Sequence, residues 1–111
     1  MTRLQKKAIA ALTERVIAQL RTVFDPEIPV NIYDLGLIYH IQILDNSKRV
    51  HVQMTLTSPG CPVAQTFPGT VEMAVKQLEG VSDCTVELVW DPPWTQDRMT
   101  EAARLELGMF F

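Results

Sequence analysis

The ten residues TLTSPGCPVA, positions 55–64, hold the most direct chemistry in this chain. Cys61 stands there between Gly60 and Pro62, behind the pair Ser58-Pro59. Proline is favoured at the first position of a helix, where its missing N–H costs nothing. With Pro62 at that position Cys61 is the N-cap, and its sulfur faces unpaired N–H groups and the positive end of the helix dipole. Both favour thiolate over thiol, so the pKa is expected below the ~8.5 of a free cysteine. Gly60 removes a side chain beside the sulfur and lets a ligand or partner come close. The competing reading is a buried, inert cysteine that fills a helix start, since free cysteine is often buried. The polar neighbours Thr55, Thr57 and Ser58 favour the functional one. Cys84 is different: it begins an alternating stretch with Val86 and Leu88 on its own face, and reads as a small core residue.

Two cysteines permit at most one internal disulfide, and one chain cannot supply a four-thiolate zinc or iron–sulfur site. There is no CxxC, no histidine pair at ligand spacing and no glycine-rich phosphate loop. A cysteine-dependent enzyme needs a base beside Cys61. The only candidates are His40 and His51, both read as partly exposed strand histidines, so this class is disfavoured. The net charge of −3 argues against nucleic acid, whose phosphates demand a basic face. No apolar run approaches the ~18 residues of a membrane span. The first residues lack a signal peptide's continuous apolar segment. The expected compartment is the cytoplasm, where thiols stay reduced.

The elements that must position Cys61 follow from periodicity. A length of 111 residues points to one domain over 1–111, large enough for a real core. Ile9, Leu12, Val16, Leu20 and Val23 recur at helical spacing, so a helix is expected from Leu4 to about Phe24, stopping before Pro26. DPEIPVNIYDLG reads as an ordered loop, because Ile28, Val30, Ile32 and Leu35 are too apolar for water. LIYHIQIL and RVHVQMTLT form an antiparallel hairpin about the turn DNSK. In the second strand Val50, Val52, Met54 and Leu56 share the core face, with His51, Gln53, Thr55 and Thr57 opposite. Phe67, Val71, Ala74 and Leu78 mark a helix that ends at Gly80; it either starts at Cys61 and bends at Pro68, or begins near Pro68 after a short turn. CTVELVW is a third strand, parallel to the second because a helix separates them. A short terminal helix follows, with Thr95 or Asp97 as cap and Gly108 as stop. Trp90 and Trp94, on either side of DPP, read as an aromatic lid on the core, with a docking patch as the alternative. The fold class is α/β (α+β): a two-layer sandwich in the order α-β-β-α-β-α with a small mixed sheet.

The stretches DPEIPVNIYDLGLIY, VQMTLTSPGCPVA and VWDPPWTQDRMTEAARLELGMF resemble the three signature blocks of the family that assists iron–sulfur cluster assembly. The resemblance covers the chain from about Thr13 to Phe111 and is closest to the SufT type, auxiliary factors of the bacterial SUF system. The first two blocks mark the broad family, which includes PaaD, a subunit of the phenylacetyl-CoA oxygenase complex, and domains fused to Mrp-type ATPases. PaaD relatives carry further C-terminal cysteines suited to zinc, and this chain has none after Cys84. Carried over by resemblance, the functional positions are Asp25 and Glu27 of the DPE motif, the hydroxyls Thr57 and Ser58, and Cys61. The second hydroxyl is often threonine in relatives; serine here keeps the hydrogen-bonding group. The residues themselves leave a plainer role open for the acids, with Asp25 capping the turn after the first helix and Glu27 solvated. Acids beside a thiolate raise its pKa, so if they converge on Cys61 their use is contact with a metal or partner rather than thiol activation.

The resemblance implies a non-enzymatic accessory factor in iron–sulfur protein maturation. It would bind a cluster or its carrier and pass it to apo-protein targets, with Cys61 as the contact to iron, to the cluster or to a partner's thiol. A stable cluster normally has four ligands, so one thiolate implies help from a second subunit in a homodimer, glutathione, a partner or the nearby carboxylates. A transient iron–sulfur cluster is the expected cofactor. Assembly proteins and apo-protein targets are the expected partners, without nucleic acid or membrane. Two alternatives stand beside this: a target-recognition adaptor that never touches the cluster, and a PaaD-like oxygenase subunit. The hairpin returns the chain to its starting end, so Asp25 and Glu27 are expected to line one depression with the Cys61 sulfur.

Overall fold

The structure, a computed structural model, describes residues 2–25, 28–44, 48–57 and 66–108. The first helix, α1, runs Arg3–Leu20 and opens with a capping box, in which Gln5 N–H donates to Thr2 Oγ1 and Thr2 N–H to Gln5 Oε1. Its apolar stripe buries Leu12, Val16 and Leu20, each worth about 1.5–3 kcal/mol removed from water. Sequence periodicity extends this helix to about Phe24, but the chain leaves it at Leu20. Beyond that point the backbone has other partners: Ile32 N–H donates to the Val23 carbonyl at 2.9 Å, and Phe24 bridges to Asn31. The loop captures Val23 and Phe24 before Pro26 can stop the helix.

That loop is part of the core. Val30, Ile32, Leu35 and Leu37 are all fully buried, as their apolar character predicts. The sheet has three strands in the order β1-β2-β3, with β1 Ile38–Leu44, β2 Arg49–Met54 and β3 Asp83–Leu88. β1 pairs antiparallel to β2 with a register shift between Ile38 and His40, and β3 pairs parallel to β2 from Arg49↔Asp83 to Met54↔Leu88. Val50, Val52, Met54 and Leu56 are buried as expected. Thr55 departs from the alternation that puts it on the polar face: it is fully buried. The ladder ends at Met54, and Thr55 N–H turns to the Leu37 carbonyl at 2.8 Å, so strict alternation stops one residue before it. The turn at 45–47 lies outside the described residues.

The second helix, α2, spans Phe67–Lys76 with Thr66 at the N-cap and Pro68 in the first turn. This is the later of the two starts that the sequence allowed. It packs on β3, while α1 packs on α2 and β1. Links between the helices include Gln19 Nε2 donating to the Ala74 carbonyl at 2.8 Å. The terminal stretch differs from expectation. Thr95 precedes only a short 3-10 helix, Gln96–Arg98, and the true helix α3, Glu101–Glu106, is capped by Thr100, whose Oγ1 accepts from Ala103 N–H at 3.2 Å. The cause is Met99, which takes an extended backbone and buries its side chain, breaking one helix into two. Among the described residues no helix is long and apolar enough to cross a membrane.

Candidate functional site

Asp25 sits where α1 hands over to the loop, and it is 8 % exposed. Its Oδ1 accepts the Ile28 N–H at 2.8 Å, and its own N–H donates to the Val30 carbonyl at 3.1 Å. The carboxylate therefore holds a turn, the plainer of the two roles open to it, and is fixed in place by doing so. Farther along, Asp34 N–H donates to Asn31 Oδ1 and Asn31 Nδ2 to Asp34 Oδ2, closing a second polar turn. The Arg21 guanidinium reaches Asp34 at 3.6 Å and lies 4.9 Å over the Tyr33 ring.

The other candidate positions follow the end of β2. The bond from Thr55 N–H to the Leu37 carbonyl ties that end to the loop carrying Asp25. Thr57 is half-buried two residues on. Glu27, Ser58 and Cys61 lie outside the described residues, and so does the expected depression shared by Asp25, Glu27 and Cys61. The N-cap reading of Cys61 lies there too, although α2 itself takes Thr66 as its N-cap. Among the described residues no three His, Cys, Asp or Glu side chains gather to hold a metal ion.

Cys84 is 3 % exposed on the inner face of β3. Burial pushes its thiol up to about 11, with the Glu72 carboxylate adding to the effect. It is the core residue that its alternating strand predicts. His40 is exposed and His51 half-buried, the latter with Nε2 3.2 Å from Glu87 Oε1. The two tryptophans divide: Trp94 packs on the core and donates Nε1–H to the Leu35 carbonyl at 2.8 Å, whereas Trp90 is 41 % exposed. The aromatic lid is thus Trp94 alone.

The terminal stretch clamps the Asp25 loop, which sequence reasoning missed. Thr100 N–H donates to the Asp34 carbonyl at 2.8 Å, beside the Trp94 bond to Leu35. Gly36, at φ +86°, lies directly against the Arg98 backbone. Here too is a hollow of about 490 Å³ lined by Tyr33, Gly36, Ile38, Tyr39, Pro92, Arg98 and Thr100. Its walls come from segments some sixty positions apart, so no local pattern marks it; the one sequence signal was a glycine closing the NIYDLG turn.

The family model described as "Iron-sulfur cluster assembly protein" matches residues 13–88. The chain belongs to this family. An Fe-S protein maturation auxiliary factor of Porphyromonas gingivalis is 47% identical over 95 residues, covering 86% of this chain and 90% of that protein. The Fe-S protein maturation auxiliary factor SufT of Staphylococcus aureus is 38% identical over 87 residues, covering 78% of this chain and 98% of that one. Among solved structures, a domain of unknown function from Bacillus anthracis matches with a TM-score of 0.85 at 33% identity, covering 95% of this chain and 99% of that one. The family match spans the Asp25 loop, the hairpin, Cys61 and Cys84, and stops at the end of β3. The clamp formed by Trp94, Arg98 and Thr100 lies beyond the matched span of the iron–sulfur cluster assembly family.

Proposed function

We propose that this chain is a non-enzymatic accessory factor in iron–sulfur protein maturation, handing a cluster or its carrier to apo-protein targets through Cys61. The reading is supported by relatives matched over 90% and 98% of their length, which are named Fe-S protein maturation auxiliary factors. The geometry adds a physical reason. Asp25 is buried and bonded into its turn, and the same loop is tied at Leu37 to the strand end that leads through Thr57 to Cys61. Asp25, so held, is presented without first being ordered, which lowers the entropic cost of contact at that residue. Cys61 supplies the thiolate, Asp25 and Glu27 carboxylate oxygens, and Thr57 and Ser58 hydroxyls. A cluster needs about four ligands, so it is held as cargo, shared with a second subunit, glutathione or a partner's thiols.

The test is reconstitution with ferrous iron and sulfide, read by visible absorbance, iron content and sedimentation. The proposal expects a charge-transfer band that Cys61→Ser removes, on a species larger than a monomer or carrying glutathione. An unchanged band in Cys61→Ser defeats it. A second reading, a target-recognition adaptor that never touches the cluster, is favoured by the exposed Trp90. It predicts no iron uptake and loss of client maturation on Trp90→Ala.

A further inference from the structure

The two edges of the sheet are treated differently. On β3 the outward Val86 N–H is taken by the Glu72 carboxylate at 2.9 Å, and Asp83 at the strand's start is paired with Lys76 at 3.2 Å. A side chain from α2 thus closes that edge to strand addition. β1 is the other edge, and it has neither defence. Its sequence IYHIQIL contains no Lys, Asp, Glu or Pro, the residues with which proteins usually blunt an open edge. In an antiparallel pair every second residue turns its N–H and C=O away from the partner strand. Among the described residues, no hydrogen bond from outside the β1–β2 ladder reaches the backbone of 38–43.

Two hollows flank the first half of this edge and share Tyr33, Ile38 and Tyr39. One, of about 280 Å³, extends toward Thr13 of α1 and to His40 and Ile41. The other, of about 490 Å³, extends toward Pro92, Arg98 and Thr100. The Tyr39 ring between them is fixed, its hydroxyl donating to the Pro92 carbonyl at 2.7 Å and its face 4.5 Å from the Arg98 guanidinium. Among the described residues, Arg98 is the one Lys or Arg that lines either hollow. Arg21 has Asp34 and Lys76 has Asp83, but Arg98, like several exposed cations elsewhere, has no carboxylate among the described residues. A cation held over an aromatic face keeps its N–H fork available for a carboxylate.

We propose that the open edge of β1 takes up an extended segment of a partner polypeptide as a fourth strand, with an acidic side chain of that segment on Arg98. Side chains of an added strand alternate between the two faces, so alternate residues would lie along the hollows beside Ile38 and Tyr39. Backbone bonds supply affinity, and the hollows and Arg98 supply selectivity. The inference concerns how a partner is held, and it stands whether or not the cargo is a cluster.

The test uses the full chain on an array of immobilised hexapeptides that alternate β-branched and polar residues, each made with one Glu and as its Gln twin. Retention of Glu peptides is expected to exceed that of their twins about tenfold. Arg98→Gln should erase that preference, and Arg98→Lys should keep part of it. Backbone N-methylation of a bound peptide should abolish binding at alternate positions and spare the ones between, and alternate β1 amides should slow in hydrogen exchange. Absence of any retained peptide, equal retention of the twins, or indifference to N-methylation overturns the proposal. A dimer in sedimentation with β1 amides protected before peptide is added also overturns it, by giving the edge to a second copy of the chain.

Discussion

Gly36 offers the sharpest perturbation, because two separable physical effects meet there. Its φ of +86° is a region that side chains with a Cβ enter at a cost of about 1–2 kcal/mol. A methyl placed on it would also lie 2.7 Å from the Arg98 carbonyl carbon and 2.8 Å from the Arg98 Cβ. These are backbone and near-backbone atoms, so the terminal segment must move rather than a flexible side chain. Moving it loosens the Thr100 bond to Asp34 and the Trp94 bond to Leu35, each worth about 1 kcal/mol net. It also begins to uncover Met99. The sum for Gly36→Ala is about 3–5 kcal/mol, a large share of the ~5–15 kcal/mol that holds a typical domain together. Urea unfolding followed by far-UV circular dichroism measures it as a fall in midpoint. Two other glycines separate the terms. Gly80 has φ +93° and open space around its would-be Cβ, so Gly80→Ala should cost only the backbone part, about 1–2 kcal/mol. Gly69 lies in α2 with open space and ordinary helical geometry, and Gly69→Ala should stabilise by up to about 1 kcal/mol. A Gly36→Ala cost no larger than that of Gly80→Ala would refute the idea that the clamp requires bare backbone at this point.

Cys84, with its thiol near 11, is only about one part in a thousand thiolate at mildly alkaline pH; Cys61 is expected to alkylate far faster, followed by mass spectrometry of the folded chain. Cys61→Ser should end support of iron–sulfur maturation in a complementation assay with the unfolding midpoint unchanged, while Cys84→Ser should spare function and cost about 1–3 kcal/mol. Hydrogen bonds from Gln53 and His51 lower the Glu87 pKa below its ordinary 4.5, so its stabilising contribution is present above that value and is lost as pH falls through the lowered one. Midpoints measured down an acid series should therefore drop less steeply in Glu87→Gln. Thr100→Ala removes the α3 cap and should lower stability by about 1 kcal/mol by the same unfolding assay.

Periodicity served this chain wherever one face of an element is buried along its whole length. Val50, Val52 and Met54 announce β2, and Leu12, Val16 and Leu20 announce α1, because each stripe is buried along its length. The same reasoning overshot at the ends. Val23 sits at helical spacing but belongs to the loop, which claims its carbonyl through Ile32; Thr55 sits at strand spacing but is claimed by Leu37. In both cases a hydrogen bond across the fold decided where the pattern stopped, and sequence spacing does not contain such bonds. The α3 cap failed for a related reason: Thr95 and Asp97 are the first local cap signals, but burial of Met99 ends that turn and moves the cap to Thr100. Cys84 was legible as core, and the turn role of Asp25 was one of the two readings its sequence left open, both local properties. The hollow beside Tyr39 and Arg98 was not, since it exists only after the terminal stretch has folded back on the NIYDLG turn.

That fold-back links the parts of the molecule that the proposed function needs. The Asp25 loop is held at Val23 by Ile32, at Leu37 by Thr55, and at Asp34 and Leu35 by Thr100 and Trp94. The chain that leads into the Cys61 segment leaves from Leu56, and the chain that receives it arrives at Phe67, both buried. Each end of that segment is therefore anchored in the core, and its departure point is one residue from the bond that fixes the loop. Weakening the clamp at Gly36 or Trp94 acts on the same loop from its other side. Stability lost there should reach the end of β2 through Leu37 and Thr55, and should show as a faster alkylation of Cys84 in the opened core without any change to either cysteine.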